Sequence, residues 1–354
     1  AVVGEKKHVV KEFLKRKDII FSARRYGIDA MGAMAQGLFA SLLIGTILST
    51  LGQQLGVPVL EQIGSFASAV KGPAMAISIG FALHCPPLVL FSLAAVGYAA
   101  DTLGGAGGPL AVLVMAIIAA ELGKAVSKET KVDILVTPIV TIVSGSLLSI
   151  YLAPPMGSAA SAVGEAIIWA TELQPFFMGI LVSVIVGIAL TLPISSAAIC
   201  AALNLTGLAG GAAVAGCCAQ MIGFAVMSFR ENRWGGLVAQ GLGTSMLQMG
   251  NIVKNPRIWL PPTIASAITG PLATCLFKLE MNGAAVSSGM GTCGLVGQIG
   301  VYTGWINEGI RIGWMDWTGL ILISFILPAV LTCLIAAPMR KAGWIKENDL
   351  KLDL

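Results

Sequence analysis

QPFFMGILVSVIVGIALTL, residues 174–192, runs its full length without a charged side chain. Its length is close to the roughly twenty residues a helix needs to cross a hydrocarbon core about 30 Å thick. The apolar residues follow one another continuously. They lack the strict apolar–polar alternation of a barrel strand, whose second face meets a polar lumen. Within lipid, a lone segment satisfies its own backbone groups only as a helix. The stretch therefore reads as a membrane-spanning helix.

Similar runs lie outward from it at 30–51, 108–123, 133–153, 209–229, 259–277 and 317–337. Composition agrees with them. Of 354 residues, 56% are hydrophobic and 11% are charged, and the mean hydropathy is +0.86. A soluble domain carries about 25% charged residues to cover its surface. With fewer than half that share, this chain has to turn most of its exterior to lipid. The sequence predicts an all-α polytopic membrane protein, with the lipid bilayer as its first partner.

The net charge of +4 does not mark a nucleic-acid binder, because the positive residues sit beside the apolar runs. Eight of the 22 Lys and Arg residues precede residue 28: Lys6, Lys7, Lys11, Lys15, Arg16, Lys17, Arg24 and Arg25. That bias places the N-terminus in the cytoplasm. Arg340, Lys341 and Lys346 do the same for the C-terminus, so the number of complete crossings should be even. The expected organisation is a cytoplasmic amphipathic segment over 1–27, a transmembrane domain over 28–345 and a cytoplasmic tail over 346–354. Residues 5–17 predict a helix with Val9, Phe13 and Leu14 on one face, suited to an anionic leaflet. The seven cysteines lie in or beside apolar segments and read as small packing residues. Cys217 and Cys218 are adjacent, which is not a metal-ligand spacing, so no metal and no cofactor are expected.

The remaining apolar segments are broken. His84-Cys85-Pro86-Pro87 divides 73–100 into pieces of about 11 and 14 residues, which at 1.5 Å per residue are each too short to cross alone. The prolines also remove two helical donors. A re-entrant hairpin fits this pattern, and lysines at 124, 128 and 131 support a return to the side it left. Residues 156–173, with Glu165 and Glu172 opposite Val163, Ile167 and Trp169, predict a separate interfacial helix. Residues 235–250 (GGLVAQGLGTSMLQMG) and 284–304 (AAVSSGMGTCGLVGQIGVYTG) are too rich in glycine and polar groups for lipid-facing helix.

Those segments supply the candidate site. Carrying a small polar solute requires hydrogen-bonding groups at membrane depth, beside backbone that lines a cavity. Gln220, Thr244, Ser245, Gln248, Asn251, Ser287, Ser288, Thr292 and Gln298 qualify, because amides and hydroxyls both donate and accept. Interhelical bonding within a bundle is the alternative use of such groups. His84 at the proline break and Glu280 in KLEMNG join them, since ionisable groups away from loops mark function. For His84 the alternative is pairing with a freed carbonyl. Glu121 has a local partner in Lys124 three residues on, and Asp101 reads as a cap on the glycine-rich turn 104–108. No Walker A motif, Ser-His-Asp set or metalloprotease motif is present, and no catalytic site of the chain's own is identified.

ELGKAVSKETKVDILVTP (121–138), AGCCAQMIGFAVMSFRENRWGGLVAQGLGTSMLQMGNIVKNPRIWLPP (215–262) and GMGTCGLVGQIG (289–300) resemble the membrane subunit IIC of the bacterial phosphotransferase system. They are closest to its divergent branch of perfringolysin-regulator-like proteins. The resemblance implies a homodimeric permease of about ten helical elements with re-entrant hairpins. It also implies an inner-membrane location, an elevator-like moving domain and a separate phosphorylated IIB partner. The usual phosphorylation-linked His and Glu pair of the sugar branches is not found, and His84 and Glu280 stand unaligned with it. A solute-sensing membrane regulator that does not transport remains the alternative.

Overall fold

The computed structural model describes residues 2–354. Apart from one isolated antiparallel bridge between Gly207 and Met281, the regular structure of these residues is helical. Five stretches are long and apolar enough to cross a membrane: Arg25–Leu55, Pro87–Val126, Asp133–Thr171, Gly207–Met227 and Trp314–Lys341. Pro175–Thr191, the core of the stretch quoted first, forms a shorter apolar helix. Large apolar side chains are exposed along these elements, including Phe91, Ile134, Tyr151, Trp169 and Trp314. Such a surface fits contact with lipid. The fold is an all-α polytopic membrane protein.

The chain forms two compact units. One holds the residues up to Ser41 together with Ala69–Gly157, and the other holds Leu42–Ser68 with Ser158–Leu354.

The first unit is built on close helix approach at small residues. Helix Lys71–Ala82 ends at Leu83, and His84 takes a left-handed φ of +59° that stops it. Pro86 is extended, and Pro87 begins the next helix at the position where a missing N–H costs nothing. That helix runs Pro87–Gly104, 18 residues or about 27 Å. The second arm of the break is therefore longer than the sequence predicts; Asp101 lies within it and pairs with Lys71 at 2.8 Å instead of capping the turn. At Gly105, φ +53° and ψ −120° turn the chain back into Gly108–Val126. Val89, near the start of one arm, lies against Gly123, near the end of the other, so the two arms run antiparallel.

Asp133–Thr171 corrects a second expectation. It is one helix of 39 residues, about 58 Å long, where the sequence predicts a span followed by a separate interfacial helix. The prolines at 154 and 155 look like a stop. Both are exposed and the helix continues through them.

In the second unit, Gly207–Met227 is the central helix, and nearly all its residues are buried. Pro175–Thr191, Leu260–Pro271 and Trp314–Lys341 pack around it. Gly216 lies against Ser183, and Gly179 against Gly270, so these backbones approach where any side chain would intrude. Val214, Cys218, Met281, Val301, Trp305 and Ile323 form the adjoining apolar cluster. Within the glycine-rich segments the helix is broken: a π turn over Ala239–Gly243 and a 3-10 turn over Ser245–Gln248 interrupt 235–250, and 3-10 turns over Ala285–Gly289 and Cys293–Leu295 precede helix Val296–Asn307.

Candidate functional site

The polar residues of the second unit gather in three places. The first surrounds Gln220, which is fully buried on the central helix. Its Oε1 accepts from Thr191 Oγ1 at 3.0 Å and from Trp259 Nε1 at 2.9 Å, and its Nε2 donates to Thr263 Oγ1 at 3.1 Å. Thr191 Oγ1 lies 2.7 Å from Ser245 Oγ. Thr244 Oγ1 accepts from the Met246 N–H at 3.0 Å and caps the turn that carries Ser245. Gln220, Thr244 and Ser245 thus join helix Pro175–Thr191, the central helix and the turns over 239–248.

The second place is a chain of amides. Gln240 Nε2 donates to Ser228 Oγ at 2.9 Å, and its Oε1 accepts from Gln248 Nε2 at 2.8 Å. Gln248 Oε1 accepts from Asn251 Nδ2 at 2.8 Å. Gln248 Nε2 also donates to the Leu350 carbonyl at 2.9 Å, and Asn251 Nδ2 to the Lys351 carbonyl at 2.9 Å. In this conformation both amides hold the chain's own C-terminal segment. Asn232 and Asn255 take part in the same way, and the sequence reading missed both. Each stands beside Arg or Lys residues that read as topology markers.

The third place is the broken segment before helix Val296–Asn307. Gly291, Gly294 and Leu295 all take φ between +54° and +57°. Glycine accepts this readily, whereas Leu295 is strained by about 1–2 kcal/mol. Ser288 Oγ donates to the Leu205 carbonyl at 2.6 Å, Thr292 Oγ1 lies 3.6 Å from Met221 Sδ, and Ser287 is buried nearby. Gln298 Nε2 donates to Ser324 Oγ at 2.9 Å and lies 3.1 Å from Cys218 Sγ. Its Oε1 is buried and has no partner. Among the described residues only Thr332 Oγ1 shares that condition. A buried acceptor without a donor costs about 1–3 kcal/mol.

Glu280 stands outside these groups: it is exposed, and Asn282 Nδ2 donates to it at 3.2 Å. His84 belongs to the first unit and has its own surroundings. Its side chain is 69% exposed, with Nδ1 2.7 Å from Asp18 Oδ2 and 2.9 Å from an Arg25 guanidinium nitrogen. It does not serve the freed Leu83 carbonyl. Lys124 does so, donating at 2.7 Å, and it also reaches the Asp18 carbonyl at 2.8 Å and Glu121 at 2.9 Å. Asp18, His84 and Lys124 border an open groove of about 430 Å³ that also meets Lys17, Lys128 and Glu129. The hydrogen bond from Arg25 holds the Asp18 carboxyl below the usual carboxylate range, against the opposing effect of burial.

The polar residues thus offer hydrogen-bonding groups in three places in the second unit. The family model for the phosphotransferase system, EIIC, matches residues 28–352, and so covers most of both units. No curated protein matches the chain, and neither does any solved structure. The chain belongs to the EIIC family: it is a membrane-embedded permease component of a phosphotransferase system, the part that works on a solute with a separate IIB component.

Proposed function

We propose that this EIIC chain carries a small polar solute, a sugar or sugar-like compound, across a bacterial plasma membrane by elevator-type alternating access. It acts as a homodimer with both termini in the cytoplasm, and the solute passes to a phosphorylated IIB protein. The observation that carries this reading is the free Oε1 of Gln298, buried beside the broken segment 283–295. An acceptor kept without a donor suits a ligand that brings its own hydroxyl hydrogen. Ser287, Ser288 and Thr292 lie on the same broken backbone, the kind of segment around which transporters build solute sites.

A melting screen of the detergent-solubilised protein against sugars and polyols tests the reading. A solute at about a thousandfold excess over its dissociation constant adds about 4 kcal/mol of stability. A sugar or polyol that raises the melting temperature of the intact protein, and fails to do so for Gln298→Met, supports the site. A panel with no stabilising member argues against it.

A further inference from the structure

The segment after Trp314–Lys341 is held in an unusual way. Gly343 takes φ +79° and turns the chain out of the helix, and Asn348 takes φ +66° further on. Between them and Leu352 only Ile345 and Leu350 are fully buried, while Trp344, Lys346, Glu347 and Lys351 are exposed. Most of the bonds that hold this stretch go to its main chain. Asn232 Nδ2 and Gln248 Nε2 both donate to the Leu350 carbonyl, at 2.8 and 2.9 Å. Asn251 Nδ2 donates to the Lys351 carbonyl at 2.9 Å, and Asn255 Nδ2 to the Trp344 carbonyl at 3.0 Å. Asn232 Oδ1 accepts from the Leu352 N–H at 2.7 Å. The Arg257 guanidinium lies over the Trp344 ring at 5.3 Å.

The segment is folded into turns, with the Asp349 N–H bonded to the Lys346 carbonyl and the Lys351 N–H to the Asn348 carbonyl, and the side-chain amides grip the carbonyls left over while Ile345 and Leu350 serve as spaced apolar anchors. The segment also borders a groove of about 410 Å³ that meets Arg230, Glu231, Arg340 and Lys351. The segment forms one wall of that groove through Ile345, Glu347, Asn348 and Lys351, and apart from Ile345 and Leu350 its residues stay at least partly exposed.

We propose that Asn232, Gln248, Asn251 and Asn255 form a peptide-binding cradle whose ligand is the chain's own segment 344–352, held as a releasable strap. While the strap is docked, Gln248 and Asn251 are committed to it. When it leaves, their donors are free. The proposal stands apart from the solute reading, since it concerns only what these amides hold.

Hydrogen exchange on the intact protein in detergent micelles tests it, beside two variants, Leu350→Asp and the double variant Asn232→Ala, Asn251→Ala. A labelled synthetic peptide of residues 343–354 is the probe for an emptied cradle. In the intact chain the amides of Asp349, Lys351 and Leu352 should exchange at least about tenfold more slowly than in the free peptide. Leu350→Asp should bring them to the free-peptide rate, leave Gly207–Met227 protected and let the labelled peptide bind. The intact protein should not bind the peptide, because its cradle is filled. The double variant should release the segment and also fail to bind the peptide. If Leu350→Asp does not fold, the double variant decides by the same exchange readout. Free-peptide exchange in the intact chain would overturn the proposal, as would peptide binding to intact protein or none to a folded Leu350→Asp. Loss of protection across Gly207–Met227 in both variants would make the segment a fixed part of the core, and the strap would fall.

Discussion

Gln298 gives one end of its amide to Ser324, at 2.9 Å, and leaves the other end, Oε1, without a donor inside the protein. Exchanging the amide's O and N would not remove the imbalance, since one end would still lack a partner. Gln220 and Gln248 are more fully buried than Gln298, yet each has both ends bonded. Gln298 is therefore the buried amide best placed to act on something that arrives from outside.

Gln298→Met keeps the volume and removes both the orphan acceptor and the bond to Ser324. The two effects oppose each other, so stability should change by no more than about 1 kcal/mol. Solute flux should fall about tenfold or more, the equivalent of one lost hydrogen bond. Melting temperature and uptake measured on the same preparation check both halves. A large loss of stability with normal flux would make Gln298 a packing residue.

Lys124 is the opposite case, a buried cation with all its donors used. Lys124→Met would strip Glu121 of its paired cation and the Leu83 carbonyl of its Lys124 donor, leaving Glu121 only the Tyr26 hydroxyl and the Asp18 carbonyl only Arg25. Breaking a buried pair from one side costs about 3–5 kcal/mol. Thermal unfolding in detergent should show that loss, and adding Glu121→Gln should recover part of it. Unchanged melting in Lys124→Met would contradict the assignment.

Asp18 makes the docking of the N-terminal segment depend on acid. Arg25 stabilises its charged form, so the folded carboxyl titrates below its ordinary value of 3.8. The stabilisation is complete above that value and is lost as pH falls through the lower, folded one. Exchange protection around residues 18–25 should hold from neutral pH down to about 4, near the ordinary carboxylate range, and weaken below it. Asp18→Asn should remove the dependence. Protection that stays flat in the intact chain down to pH 3 would count against the Arg25 contact.

Gly216 sets the distance between the central helix and Pro175–Thr191. A β-carbon there would meet the Ser183 backbone, with its Cα at 2.7 Å. Gly216→Val should destabilise by about 1–3 kcal/mol through overpacking. Gly32, where a β-carbon meets nothing within 4 Å, is the control. Gly32→Ala should be neutral or gain up to about 1 kcal/mol from helix propensity. Melting curves of the two variants test the contrast.

What the sequence made legible follows from the range of the interaction involved. The spans are local: length and absence of charge identify 209–229 without knowledge of any neighbour, whereas 174–192 forms the 17-residue apolar helix Pro175–Thr191, shorter than the five candidate spans. The Glu121–Lys124 pair is also local, three residues apart on one helix, and it forms. The 39-residue helix was not legible, because Pro154-Pro155 carries the same local mark whether a helix stops or merely bends. The chemistry of the site showed in the residue types, since amides beside glycines stood out. Their partners did not. Asn251 meets the carbonyl of Lys351 and His84 meets Asp18, pairings across long stretches of chain that no periodicity encodes. Trp259, Asn232 and Asn255 were missed for the same reason.

Uptake of radiolabelled sugars and polyols into proteoliposomes containing the purified chain, with and without a phosphorylated IIB protein inside, tests the account most directly. The account predicts saturable entry of at least one solute, reduced in Gln298→Met and recovered as its phosphate when IIB is present. A folded chain that moves no member of the panel under either condition would contradict it.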